Sequence, residues 1–94
     1  MIKFKNEYVK FIEQKGVGLK DQVASSVDSY LSYLNSVSRI LKKDITPESL
    51  NSEDDVDRFV LLLKGQKADK TVSNYRSAMR QYVNMVMKLN LNHS

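Results

Sequence analysis

An all-α fold, one domain built from four amphipathic helices, is what three features of this sequence predict. Apolar residues recur at helical spacing in four separate stretches, and no stretch alternates as a half-buried strand would. Short polar breaks carrying glycine, proline, or serine with aspartate separate the stretches. At 94 residues the chain is long enough for one core and too short for two.

The first helix is expected over about residues 2–14, with Phe4, Tyr8, Phe11 and Ile12 on one face. Lys15-Gly16-Val17-Gly18 ends it, because glycine reaches the left-handed backbone that stops a helix. The second runs over about 21–43, with Val23, Val27, Tyr30, Leu31, Leu34, Val37 and Leu41 facing inward. Thr46-Pro47-Glu48 reads as a helix start that opens only a short turn, about 47–51. Ser52-Glu53-Asp54-Asp55 resembles a capping box with aspartate in place of glutamate, and it leads into a third helix over 53–64. Val56, Phe59, Val60 and Leu63 are its inward positions, and Lys64-Gly65 closes it. Asp69 is the expected cap of a fourth helix over about 70–89, after which 90–94 frays.

That fourth helix carries the most information. Val72, Tyr75, Met79, Tyr82, Val83, Val86 and Leu89 fall within an arc of roughly 120° at about 100° per residue. Ser73, Arg76, Ser77, Arg80 and Asn84 lie outside it, so two arginines stand one turn apart among small hydrogen-bonding side chains. Such a face suits a phosphate backbone, although a solvated helix surface also accommodates arginine. Lys64, Lys67, Lys70 and Thr71 surround the start of the same helix, where the dipole favours anions. Asp69 brings a negative charge to that end, which favours flexible lysines near phosphate over a formed anion pocket, and plain solvation over both. The charge distribution agrees. Residues 44–57 hold six acidic and no basic side chains, whereas 58–94 hold seven basic and one acidic.

Other classes are excluded or disfavoured. No cysteine means no disulfide, thiolate metal site or thiol nucleophile. The longest apolar run, Phe59 to Leu63, is far short of the roughly 20 residues a spanning helix needs. The amino end turns polar too soon for a signal peptide, so a soluble cytoplasmic chain is expected. Glu53, Asp54, Asp55 and Asp57 sit at a helix start, where dipole compensation explains them better than a cation does. His93, the single histidine, stands one residue from the end without the partners of a dyad or zinc site. Gly16-Val17-Gly18 lacks the remaining residues of a phosphate loop. No enzyme activity, metal or cofactor is therefore expected.

Tyr75 and Tyr82 read as core residues with hydroxyls at the rim, and Tyr33 as partly exposed beside Tyr30. Met79 reads as core. Met85 and Met87 flank the apolar arc, where they contact the first helix or offer a soft surface to a partner.

Three segments resemble the N-terminal core-binding domain of tyrosine recombinases, the phage-integrase group, over about residues 5–89. Tyr8 to Gly16 looks like the family's opening helix and glycine stop. Val27 to Leu34, with Tyr30-Leu31 and Tyr33, looks like its second helix. Lys70 to Tyr82 looks like its last helix, starting with threonine and carrying an arginine before an aromatic. The resemblance implies a four-helix SAM-like orthogonal bundle that clamps one side of duplex DNA with its second and fourth helices. The family's catalytic half has no counterpart in these residues, so no strand-cleaving centre is expected. The second helix gathers Arg39, Lys42 and Lys43 only at its end, which weakens a DNA-contacting role there. The acidic stretch from Asp44 to Asp57 is expected to point away from DNA.

The expected function is a non-catalytic DNA-binding module of mobile-element type, using Lys64, Lys67, Lys70, Thr71, Ser73, Arg76, Ser77, Arg80 and Asn84. The alternative is a helical protein-interaction or self-association domain. It would use exposed apolar positions such as Tyr33, Leu62, Met85 or Met87, or pair the acidic stretch of one copy with the basic end of another.

Overall fold

The computed structural model describes residues 1–14 and 27–91. The glycine stop at 15–18, the first turns expected of the second helix with Val23, and the tail with His93 lie outside the described residues. Four helices follow in chain order: α1 (Lys5–Gln14), α2 (Val27–Leu41), α3 (Glu53–Lys64) and α4 (Asp69–Leu89). No strand occurs among the described residues, and the architecture is the all-α helical bundle the periodicity predicts.

Helix α4 is the central element. It packs against α1, α2 and α3, most extensively against the last two. Its buried residues are Val72, Tyr75, Ala78, Met79, Tyr82, Val83, Met85 and Val86. At about 100° per residue they cover an arc of about 160°, wider than expected, because three helices lean on this one. Ala78 and Met85 are the additions, and Met85 is fully buried rather than flanking the core. Leu89 is the subtraction. It lies at the helix end and stays 45% exposed despite its inward register. Asn90 then takes the left-handed conformation (φ 57°), and the Leu91 N–H reaches back to the Val86 carbonyl at 2.9 Å.

The amino end departs from the expected helix. Ile2 forms a single parallel bridge with Ile45 in the segment between α2 and α3, and residues 3–4 turn into the helix. The Lys3 N–H donates to the Ile45 carbonyl (2.8 Å), and the Ile45 N–H donates to the Met1 carbonyl (2.9 Å). Phe4 adopts φ 62°, which breaks any helix begun at residue 2, so α1 opens at Lys5. Phe4 is only half-buried as a result, whereas Ile2 enters the core in its place.

The end of α2 comes two residues early for a similar reason. Lys42 is left-handed (φ 54°), and the Lys43 N–H donates to the Ser38 carbonyl at 3.1 Å. This is the helix-stopping pattern usually given to glycine. Ser38, buried, adds a bond from its hydroxyl to the Lys43 carbonyl at 2.7 Å. Of the expected inward residues of α2, Tyr30, Leu34 and Val37 are buried, while Val27, Leu31 and Leu41 are half-buried against the core.

Helix α3 has the expected bounds. Ser52 caps it by accepting from the Asp55 N–H at 3.3 Å. The carboxylate of Asp55 reaches one residue further than a capping box does and accepts from the Asn51 N–H at 3.0 Å. Asp55 is buried and also ion-paired with Arg58. The short turn before it holds as read, with Thr46 and Ser49 exchanging bonds around Pro47. Val56, Phe59 and Leu63 are buried and Val60 is half-buried.

Two tyrosines tie α1 and the amino segment to α4. Tyr8 donates to the Ala78 carbonyl at 3.0 Å. Tyr82 donates to the Lys3 carbonyl at 2.7 Å, with the Ile45 carbonyl at 3.3 Å. Their rings lie 5.8 Å apart in a tilted arrangement. The Tyr82 hydroxyl is thus inside the fold, not at its rim. Burial pushes both hydroxyls well above the usual tyrosine value, with Tyr30 adding to the effect at Tyr8 and Glu48 at Tyr82.

Candidate nucleic-acid interface

Because α4 buries one side against three helices, its remaining side is fixed as solvent-facing. Lys70, Ser73, Arg76, Ser77, Arg80 and Asn84 are all exposed there. Lys64 at the end of α3 and Lys67 in the turn to α4 are exposed too, whereas Thr71 is half-buried. Lys64, Lys67, Lys70 and Arg76 make no ion pair among the described residues.

The start of α4 differs from its expected form. Ala68, extended at φ −66° and ψ 154°, occupies the cap position and supplies no side-chain hydrogen bond. Asp69 is instead the first helical residue, one place too late to cap, though its charge still complements the helix dipole.

Two shallow depressions divide the outer face. One lies between α3 and α4, about 270 Å³, lined by Val60, Lys64, Asp69, Val72, Ser73 and Arg76. The other lies between α2 and α4, about 310 Å³, lined by Tyr30, Ser77, Arg80, Gln81 and Asn84. Both are open surfaces, suited to a ligand that lies across them. The sequence-derived residues are therefore brought together in two groups, Lys64 with Ser73 and Arg76, and Ser77 with Arg80 and Asn84. Lys67, Lys70 and Thr71 line neither.

Arg80 is not free. Its Nε donates to Glu53 Oε1 at 3.0 Å, and both side chains remain more than half exposed. An ion pair this open contributes about 0–1 kcal/mol to stability, so its effect is mainly on local charge. Contrary to the expectation that the acidic stretch points away from the basic face, Glu53 at the start of α3 meets Arg80 in the middle of α4. The carboxylates at that start also diverge, with Asp55 turned inward to the cap and Glu53 outward to Arg80.

The Ser77 hydroxyl donates to the Ser73 carbonyl one turn back at 3.2 Å. Gln81 Oε1 is buried without a hydrogen-bond partner. Glu53 and Gln81 are the participants that reading the sequence missed. Gln81 borders the exposed arc and was within reach of the periodicity. Glu53 lies 27 residues from Arg80, and only the docking of α3 on α4 brings them together.

No helix among the described residues is long and apolar enough to cross a membrane. No family model, curated protein or solved structure matches the chain.

Proposed function

We propose that this domain is a non-catalytic DNA-binding module of the mobile-element, integrase core-binding type, contacting the duplex backbone through α4 and the turn before it. The observation that supports it is the cluster of four exposed cations at the α3–α4 corner, Lys64, Lys67, Lys70 and Arg76, with no intrachain ion-pair partner among the described residues. Lys70 and Arg76 stand on the solvent side of α4, whose other side is core, while Lys64 ends α3 and Lys67 lies in the turn between them. Lysine and arginine set there meet phosphates without any rearrangement of the fold. Ser73 and Thr71 add hydroxyls beside them, and Ser77 and Asn84 extend the polar face.

Each phosphate neutralised contributes about −0.9 to the slope of log affinity against log salt. Four contacts therefore predict a loss of about a hundredfold between 50 and 200 mM salt. Titrating a random-sequence duplex at those two salts tests this. Replacing Lys64, Lys70 and Arg76 together by alanine should flatten the slope while helicity is retained. Absence of binding at 50 mM salt and micromolar protein, or binding indifferent to salt, overturns the proposal.

A second reading, association with another protein or a second copy, is favoured by Leu61 and Leu62 on α3, which remain 69% and 49% exposed. Tyr33 and Met87 are also partly or largely exposed, whereas buried Met85 is withdrawn from that surface. Light scattering across the same salt series separates the two readings, since association through Leu61 and Leu62 persists as salt rises whereas DNA binding weakens.

A further inference from the structure

The two groups on the outer face of α4 differ in charge. Around the first depression, Lys64 and Arg76 contribute positive charge against the single carboxylate of Asp69. Lys67 and Lys70 stand nearby in the chain without ion-pair partners among the described residues. Around the second, the one cation is Arg80, and Glu53 neutralises it. Ser77, Gln81 and Asn84 beside it are uncharged hydrogen-bonding groups.

The geometry of the pair matters as much as its charge. Glu53 engages Arg80 only through Nε, the sole hydrogen bond Arg80 makes among the described residues. The guanidinium carries five N–H donors in a planar fork. One is used, and the two terminal nitrogens keep the other four. A carboxylate on Nε leaves the terminal fork on the side away from it, and its negative charge weakens the pull of that fork on phosphate. It opposes the uncharged acceptors O6 and N7 of guanine far less, and a terminal fork meets those with two parallel bonds.

The distances along α4 fit. From Lys70 to Arg80 the helix rises about 15 Å. Cations at the beginning of the helix and Arg80 are therefore far enough apart to meet different parts of one duplex, a phosphate and a base edge.

We infer that Arg80, partly neutralised at Nε by Glu53, reads a guanine edge in the major groove, whereas Lys64, Lys67, Lys70 and Arg76 hold phosphates. This rests on the DNA-binding reading above and adds a division of labour to it. Arg80 is the specificity-determining contact, and Glu53 is its positioning residue. Asp69 stands at the first depression, and Glu53 is the carboxylate that reaches Arg80. Glu53 weakens the attraction to phosphate that would bind Arg80 to any sequence.

The test is selection from a random-sequence duplex library by the full chain, followed by salt titration of the selected duplex. The wild type should enrich one invariant guanine. Arg80→Ala should abolish that enrichment and leave the salt slope unchanged, while Arg76→Ala should keep the guanine and lower the slope by about one. Glu53→Gln should free Arg80 for phosphate, raising the slope by about one and reducing guanine preference tenfold or more. Glu53→Asp should retain part of the preference, which a purely structural role would not predict. Circular dichroism of each variant establishes that the helices remain. Enrichment without guanine overturns the inference, as does an Arg80→Ala slope that falls like that of Arg76→Ala, or a Glu53→Gln variant identical to wild type. A wild type that binds no duplex at all removes the DNA-binding reading, and this inference with it.

Discussion

The two faces of α4 treat polar groups in opposite ways. On the inner face the Tyr82 hydroxyl is buried and bonded to the Lys3 carbonyl at 2.7 Å. On the outer face, four cations at the α3–α4 corner have no ion-pair partner among the described residues, and the fifth, Arg80, is paired in the open. The inner group is committed to the fold. It joins α4 to an amino segment 79 residues away, through a part-buried bond. The outer groups contribute little to folding and are available to a ligand. Changes on one side should therefore alter stability, and changes on the other should alter binding.

The largest effect should come from Tyr82→Ala. It removes a fully buried ring from between α1, α4 and the Ile2–Ile45 bridge, and leaves the Lys3 carbonyl without its donor. A loss of about 3–5 kcal/mol is expected from the lost burial and the cavity together, a large share of the stability of a domain this size. Tyr82→Phe keeps the ring and should cost about 1–2 kcal/mol. Arg76→Ala on the opposite face should change stability by less than about 0.5 kcal/mol. Urea melts of the three variants check the order. An Arg76→Ala loss as large as that of Tyr82→Phe would erase the distinction between the faces.

The same comparison explains what was legible in the sequence. The outer face was legible because helical period alone assigns sides. Arg76, Arg80, Ser73, Ser77 and Asn84 are exposed as expected. Helix α3 was legible because its start signal is local, with Ser52 and Asp55 three residues apart. What escaped depends on distant residues. The amino segment is held by the pairing of Ile2 with Ile45, 43 positions away in the chain, and Phe4 takes the left-handed conformation between that bridge and α1. The burial of Met85 depends on how many helices lean on α4, and the Arg80–Glu53 pair on how α3 docks. Asp69 was misplaced by one residue, the usual margin for a helix boundary read from side chains.

Alkaline pH should sharpen the contrast. Burial raises Tyr8 and Tyr82 above the ordinary value, so the folded chain holds two phenolic protons that the unfolded chain releases near pH 10. Their contribution is fully present below about pH 10 and is lost as pH rises toward the raised folded values. Urea midpoints should therefore fall between pH 9.5 and 11, and fall less steeply in Tyr8→Phe and Tyr82→Phe. Arg76→Ala should keep the wild-type slope. An unchanged slope in both phenylalanine variants would show that other groups govern alkaline unfolding.

The smallest effect concerns the one place where fold and binding surface meet, the start of α4. Ala68 has the extended backbone of a helix cap but no side-chain acceptor for the free amides of Lys70 and Thr71. Ala68→Ser supplies one, for an expected gain of about 0.5–1 kcal/mol and a rise of a few degrees in Tm. Serine adds no charge beside Lys67 and Lys70, so affinity for duplex DNA should not change. Ala68→Asp should stabilise α4 about as much while placing a carboxylate among the cations, and its affinity should fall severalfold at 50 mM salt. The two variants thus strengthen the same helix end and differ only in the charge presented outward. Equal affinity in both would mean that the corner does not meet phosphate, whatever its exposure.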